Sequence, residues 1–388
     1  MDNFDLKFSF WNYCPLTSDS WKRVKEWKEL GMNLAMSYVY DPLSCKKEDM
    51  IALLDECEKQ GIKVLIYDKR TSFYNLIQKG EEAFRKEVKE ASLDFSSHPA
   101  TYGFCIGDEP NFEQVDAFIK SAQIVSEITQ NPNNFGNLLP YFGDKELQDL
   151  LGRSEEWYCA LVKRILTESK LPFVGYDFYE QCFDSYMDQE TGIKHFLYGL
   201  RMYQKCTSEL GIPFYVSLLA VRHWHFRKPS YDDFKWQLAM SLAHGARGFV
   251  WFFLEQHEVV SDFDEPAILS NGDHSPIYDD LKRAQTRFQK RVLPLFNSLR
   301  FEKVSYIEGK FNPSYKDEDI EISSRRGLFS TLSYFSSSDG RRYALLVNGS
   351  QTLSNFYQIH LGKTNVEAWI LPGDFRLFDI TSDKEVLI

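Results

Sequence analysis

Residues 29–41, ELGMNLAMSYVYD, decide how the rest of the chain is read. The segment ends a helical pattern at Gly31 and begins an apolar run at Asn33 that finishes in Tyr38, Tyr40 and Asp41. A glycine just past a helix supplies the left-handed residue that lets the chain turn into a strand. The same device recurs in KQGIKVLIYD at Gly61, ELGIPFYVSLLAV at Gly211 and AHGARGFVWFFL at Gly245.

Working outward from these four, eight strand candidates emerge: 6–13, 33–40, 63–68, 102–107, 135–139, 173–177, 213–220 and 248–254. Their starts lie 27 to 40 residues apart, and amphipathic helical patterns fill the gaps, as at 21–30, 50–60, 114–129 and 231–244. Strands alternating with helices imply parallel βαβ units. Eight of them predict an α/β fold, a TIM (β/α)8 barrel whose last helix lies around 276–299. An open doubly wound sheet would carry a glycine-rich phosphate turn after its first strand, and FWNYCPLTSDSW (10–21) has none. After residue 299 the texture becomes short alternating runs broken by Gly, Ser, Asn and Pro. The expected division is therefore a barrel over 1–299 and a small C-terminal all-β, sandwich-like domain over 300–388.

Composition narrows the function. The 388 residues carry 45 basic and 56 acidic side chains, a net charge of −11, which repels phosphate backbones. No basic patch stands out, so no nucleic-acid partner is expected. No apolar run is long enough to span a membrane, and Asp2, Asp5 and Lys7 interrupt the place of a signal peptide. A cytoplasmic protein without a membrane partner is expected. Seven cysteines, none in a CxxC pair, read as reduced thiols and give no zinc spacing. Neither a cofactor nor a metal is expected. The 21 tyrosines and 8 tryptophans suit stacking against sugar rings.

In such a barrel the site is built from the C-terminal ends of the strands. Those ends supply Trp11, Tyr13, Tyr40, Asp68, Asp108, Glu109, Asn137, Asp177, Tyr179, His223, His225, Trp251 and Glu255. The rim is acidic and aromatic without a phosphate cradle, a lining that suits a neutral, polyhydroxylated ligand. Hydrolysis of a glycoside needs two carboxyl groups, one protonated and one ionised.

The sharpest motif is TYGFCIGDEP (101–110), at the end of strand four. It resembles the strand-four signature of the retaining (β/α)8 glycosidases, with Asp108 in place of the usual Asn. With NLLP (137–140), GYDFY (175–179) and the run before strand eight, the chain is similar to bacterial barrel proteins labelled β-galactosidase-like glycosyl hydrolases. The resemblance covers most of the first 300 residues, patchily. It implies that Glu109 is the acid/base. It also implies a nucleophilic Glu on strand seven, but PFYVSLLAVRHWHF (213–226) contains no carboxylate. The second carboxyl is expected from Asp177, with Glu255 next. Trp11, Tyr13, Tyr40, Asp68, Asp108, Asn137, Tyr179, His223, His225, Trp251 and Glu255 are expected to bind a small carbohydrate substrate. Two alternatives stay open: a non-hydrolytic sugar-binding protein on a degenerate barrel, and a metal-dependent isomerase, epimerase or lyase. Asp108-Glu109-Pro110 could also simply cap a following helix.

Overall fold

A computed structural model describes residues 5–141, 154–258, 262–309 and 314–386. Eight strands form one sheet: β1 (Lys7–Phe10), β2 (Leu34–Met36), β3 (Lys63–Ile66), β4 (Thr101–Asp108), β5 (Phe135–Leu138), β6 (Val174–Asp177), β7 (Phe214–Leu219) and β8 (Gly248–Phe252). Every ladder in this sheet is parallel, and the order runs β1-β8-β7-β6-β5-β4-β3-β2. The circular order is that of the expected TIM barrel.

The strands form where the sequence places them because each glycine hinge works. Gly61 closes helix α2 (Lys47–Gln60) at φ +67°, its N–H reaching the carbonyls of Cys57 and Glu58. Gly31, Gly211 and Gly245 take the same left-handed conformation. The helices between strands are α1 (Val24–Glu29), α2, α3 (Phe73–Lys79), α4 (Glu81–Phe95), α5 (Val115–Thr129), α6 (Glu155–Ser169), α7 (Gln189–Ser208) and α8 (Tyr231–Ala243), with α9 (Pro276–Phe296) after β8. The helix expected over 21–30 splits: residues Ser20–Arg23 form a tighter 3-10 turn before α1 begins.

Asn33 closes the ring. Between β1 and β2 its backbone N–H donates to the Phe8 carbonyl at 3.2 Å, and its side-chain Oδ1 accepts the Phe8 N–H at 2.9 Å. Its own carbonyl accepts from Lys63 N–H at 3.1 Å. One asparagine thus stands in for a ladder at the seam.

The barrel interior is filled by Trp11, Leu34, Met36, Leu65, Cys105, Phe135, Phe173, Tyr215 and Val250. Phe173 and Tyr215 stack with ring centres 4.5 Å apart. Gly248 makes room for this stack, since a Cβ there would lie 2.1 Å from the Tyr215 ring. Burying so many large side chains is the main stabilising contribution.

The C-terminal strands are antiparallel and form two sheets. In chain order they are β9 (Leu299–Ile307), β10 (Ser314–Lys316), β11 (Glu321–Ser324), β12 (Ser330–Ser337), β13 (Arg342–Asn348), β14 (Asn355–Leu361), β15 (Thr364–Ile370), β16 (Phe375–Asp379) and β17 (Lys384–Val386). The sheets run β9-β12-β13-β16-β17 and β10-β11-β14-β15. Ile322, Tyr357 and Ile359 from one sheet and Leu332, Leu346 and Phe378 from the other share one core. Contacts divide the chain into two compact units. One holds residues 7–228 and 248–278; the other holds 1–6, 229–247 and 279–388, so α8 and most of α9 group with the C-terminal sheets. Within that second unit α8 is buried nearly all round, and Trp236 Nε1 donates to the Gly349 carbonyl at 2.9 Å. Among the described residues no helix is long and apolar enough to cross a membrane.

The seam gives a direct test. Asn33→Ala leaves the Phe8 N–H without its acceptor, and an unsatisfied group of this kind costs about 1–3 kcal/mol. A urea titration should show that loss as a lower midpoint with an unchanged slope. An unchanged midpoint would mean that the seam does not depend on this side chain.

Candidate active site

The end of β4 departs from regular strand geometry. Gly107 has φ +143°, and a Cβ there would lie 2.4 Å from the Phe73 ring, so this position admits only glycine without displacement. Two residues on, Glu109 sits at φ +46°, a left-handed conformation that costs a non-glycine residue energy and is concentrated at functional sites. Its N–H donates to the Asn137 carbonyl at 3.0 Å, carrying the β4–β5 pairing one residue past the Asp108–Asn137 register. Pro110 then ends the pairing. The following 3-10 turn is capped by Asn111 through a reciprocal box with Gln114, so the Asp-Glu-Pro segment is not the cap.

Asn137 gathers the carboxyl groups. Its Nδ2 donates to Asp108 Oδ1 at 2.9 Å and to Asp177 Oδ1 at 3.0 Å. The registers Asp108–Asn137 and Asn137–Gly175 place the ends of β4, β5 and β6 side by side. Gly175 leaves space for the amide, because a Cβ there would lie 2.9 Å from Asn137 Oδ1. The Glu109 carboxyl is close enough to Asp177 to raise its pKa. Three carboxyls and one amide therefore form a single cluster at the barrel mouth.

Crowding sets the protonation. Burial first, then the charges of Glu109 and Asp108, hold the Asp177 carboxyl well above the usual carboxylate range. Burial and the neighbouring Glu109 charge push Asp108 up to about 7, against the hydrogen bond from Asn137. Asp108 and Asp177 therefore keep protons at a pH where solvated carboxyls have lost theirs.

Aromatic side chains stand around the acids. Trp11 is buried, anchored by Nε1 to Ser217 Oγ at 2.8 Å, and Tyr13 lies parallel to it at 5.9 Å. Tyr13 is 45% exposed and meets Phe252 edge-on at 6.1 Å, while Tyr179 stacks on Phe252 at 5.1 Å. The peptide bond after Phe252 is cis. Burial and the nearby carboxylates hold the Tyr13 and Tyr179 phenols well above their ordinary range, so both stay O–H donors. Tyr67 and Tyr74 also feel the Asp108 charge, and Tyr74 is half-exposed. Tyr74 lies on α3 rather than at a strand end, which is why reading the strand ends does not single it out. Two buried amide atoms, Asn12 Nδ2 and Asn137 Oδ1, have no partner among the described residues.

The structure thus brings Trp11, Tyr13, Asp108, Glu109, Asn137, Asp177 and Tyr179 together. The remaining candidates are engaged elsewhere. Asp68 is fully buried and paired with Arg70, which donates to it from Nε and Nη2 at 2.8–3.2 Å. Tyr40, 3% exposed, lies beneath the Arg70 guanidinium and edge-on to Phe95. Glu255 accepts from the Tyr38 hydroxyl at 2.9 Å and pairs with Arg23 at 3.5 Å. Trp251 is 0% exposed. Its register partner Phe10 packs on Trp27 of α1, so the pair faces the helices, and Trp251 offers no ring face to a ligand.

His223 is buried and stacked on Phe263 at 4.4 Å, and burial lowers its pKa. His225 packs against Phe226 and Phe183. Among the described residues, the one group of side chains spaced to hold a cation is Asp55, Glu58 and His98. These belong to α2 and to the loop just before β4, at the end of the barrel opposite the mouth.

No protein-family model matches the chain, and no curated protein matches it by sequence. Solved structures do match in fold. A β-galactosidase from the psychrophile Marinomonas aligns with TM-score 0.56 and 11% identity over 75% of this chain and 60% of its own. A glycoside hydrolase family 5 protein from Bacteroides vulgatus aligns with TM-score 0.56 and 10% identity over 96% of this chain and 88% of its own. A third, described as a glycoside hydrolase, reaches TM-score 0.60 at 10% identity, covering 96% and 91%. The chain spans 60% and 57% of the lengths of two β-galactosidases it matches. At these identities the likeness establishes the fold: a barrel followed by β-sheets.

The raised Asp108 carboxyl makes a signed prediction. Its contribution to stability is fully present below the unfolded pKa, and is lost as pH rises through about 7. Asp108→Asn mimics the protonated form at every pH. Relative to the parent, the variant should therefore gain melting temperature as pH is raised from about 5 to about 8. A difference that stays constant with pH would place Asp108 in an ordinary, solvated setting.

Proposed function

We propose that this chain is a glycoside hydrolase acting on a small glycoside or oligosaccharide, with Glu109 as general acid/base and Asp177 as its carboxyl partner. The observation that carries the reading is the carboxyl cluster at the mouth of a (β/α)8 barrel, where Asn137 Nδ2 bridges Asp108 and Asp177 and Glu109 stands close enough to raise the Asp177 pKa. Cleaving a glycosidic bond needs a carboxyl that is protonated near neutral pH and beside a departing oxygen. Crowded carboxyls at a strand-four end supply that proton. Tyr13, Trp11 and Tyr179 supply ring faces and O–H donors for a sugar, and Asn12 and Asn137 offer unpaired amide atoms. That several barrels of the same fold are described as glycoside hydrolases supports the reading. Glu255 is not assigned to the chemistry, since Tyr38 and Arg23 already hold it.

A cytoplasmic enzyme working on short glycosides, with residues from 300 onward as an accessory β-module, completes the proposal. A second reading, sugar binding without hydrolysis, is favoured by one observation: the strand-seven end carries no carboxylate.

The experiment compares leaving groups. Glu109→Gln keeps the shape and removes the proton, and should cost about 10²–10⁴ in rate on a glycoside with a poor leaving group. On an activated aryl glycoside, whose departure needs little protonation, the loss should be much smaller. Equal losses on both substrates would reassign Glu109 to binding. Glycosides recovered unchanged with the folded wild-type protein would favour the second reading.

A further inference from the structure

The unit that carries the C-terminal sheets has a cavity of its own. It encloses about 380 Å³ between α9 and the turn that joins β15 to β16, within the ~300–1,000 Å³ of small-molecule sites. Arg287 and Arg291 stand four residues apart on α9 and so share one face of it. Both reach Asp374 on the turn: Arg287 Nη2 donates to Oδ2 at 2.9 Å, and Arg291 Nη1 donates to Oδ1. Arg291 is the anchored member. Its Nη2 donates to the Phe375 carbonyl at 2.8 Å, and its guanidinium lies 3.9 Å from the centre of the Phe375 ring. Against the burial that would raise it, the Arg291 charge and its hydrogen bond hold the Asp374 carboxyl below the usual range, so it is ionised at neutral pH.

The turn is fixed before any ligand arrives. Gly373 has φ +59° and lies so close to α8 that a Cβ there would be 2.5 Å from the Trp236 backbone nitrogen. Asn348 Nδ2 donates to the carbonyls of Ile370 and Leu371 at 3.0 and 3.1 Å. A site already in its bound shape spends less entropy on binding.

Charge and shape then narrow the ligand. Asp374 is shared by two guanidiniums, and Arg376, also in the wall, is paired with Glu385 at 2.9 Å. The wall and its ion-pair partners therefore keep one positive charge in excess, in a chain whose net charge is −11. The excess is available at Arg287. Its side chain is 47% exposed, and among the described residues it gives one N–H to Asp374, leaving the rest of its planar fork for a ligand. The apolar part of the wall is Trp369 and Leu371, both about half-exposed. Trp369 stands on the edge strand β15, with its cross-strand partner Phe356 edge-on at 5.4 Å. Arg326 lies over the indole at 5.2 Å, and the ring is still 52% exposed.

We propose that this cavity binds a carboxylated sugar unit, a hexuronic acid, with the Arg287 fork on the carboxylate and the Trp369 ring against the sugar face. The choice of a sugar rests on the glycosidase reading above; the cavity and its charge do not. A carboxylate matches the single excess charge, whereas a phosphate monoester carries about −1.5 to −2 near pH 7. Guanidinium and carboxylate also fit each other in two parallel N–H···O bonds.

The test titrates the whole 388-residue chain, isotope-labelled at tryptophan, and follows the indole N–H signals by NMR. The Trp369 signal is the one missing from Trp369→Phe. Trisaccharides of glucuronic and galacturonic acid, their neutral glucose and galactose counterparts, and inorganic phosphate are the probes. An acidic trisaccharide should shift the Trp369 signal in a saturable way, more weakly as salt is raised. Arg287→Ala should weaken that binding at least about 10-fold, the loss expected for a charge-assisted contact. The fold should survive, because Arg291 still holds Asp374. A neutral trisaccharide or phosphate shifting the signal at the same concentrations, an unmoved signal, or full affinity in Arg287→Ala would overturn the proposal. The signal reports the C-terminal unit and not the barrel mouth. Cleavage of glycosides with an unmoved Trp369 signal would therefore remove this site and leave the glycosidase reading standing, whereas saturable binding without any cleavage would do the reverse.

Discussion

One amide group has to satisfy two buried carboxyls at once. Asn137 donates from a single Nδ2 to Asp108 and to Asp177, and the Glu109 charge stands close enough to raise the Asp177 pKa further. Ionised carboxyls at such distances repel one another, and burial penalises each charge further. The stable solution is to retain protons that free carboxyls would lose. The rest of the mouth is arranged around that requirement. Gly175 leaves space for the amide, Gly107 lets Phe73 close in behind, and the left-handed Glu109 turns its backbone N–H onto Asn137. The strain at Glu109 is held by the sheet, since its neighbours on β5 and β6 are locked in parallel register.

The barrel was legible because its signals are local. A glycine past each helix, an apolar run and a polar strand end recur within a few residues of one another, and periodicity is enough to find them. The Asp-Glu-Pro segment was legible for the same reason. Its place at the end of the fourth strand followed from the eight-unit count.

What the sequence could not convey was partnership across long separations. Glu255 looks like a rim carboxylate until Arg23 and Tyr38, more than two hundred residues away, are found beside it. Asp68 is a buried ion pair because Arg70 folds back onto it and then reaches Asp94. Trp251 fails as a platform through parity alone: one residue along a strand decides between interior and helix layer, and the register with Phe10 fixes it on the helix side. Tyr74 was missed because it stands on a helix one turn beyond the strand end. The grouping of α8 and most of α9 with the C-terminal sheets was equally invisible, since their helical pattern is the same whichever unit they join.

Everything proposed for this site follows from protons retained at neutral pH by the carboxyl cluster. The most direct measurement is an NMR titration of the side-chain carboxyl carbons in isotope-labelled protein, assigned with Asp108→Asn, Glu109→Gln and Asp177→Asn. The account predicts that Asp177 remains protonated well above the ordinary ~4 of a carboxylate, that Asp108 titrates near about 7, and that Glu109→Gln returns both toward the ordinary range. Asp108 and Asp177 titrating together with the surface carboxylates, unaffected by substitution at Glu109, would contradict it.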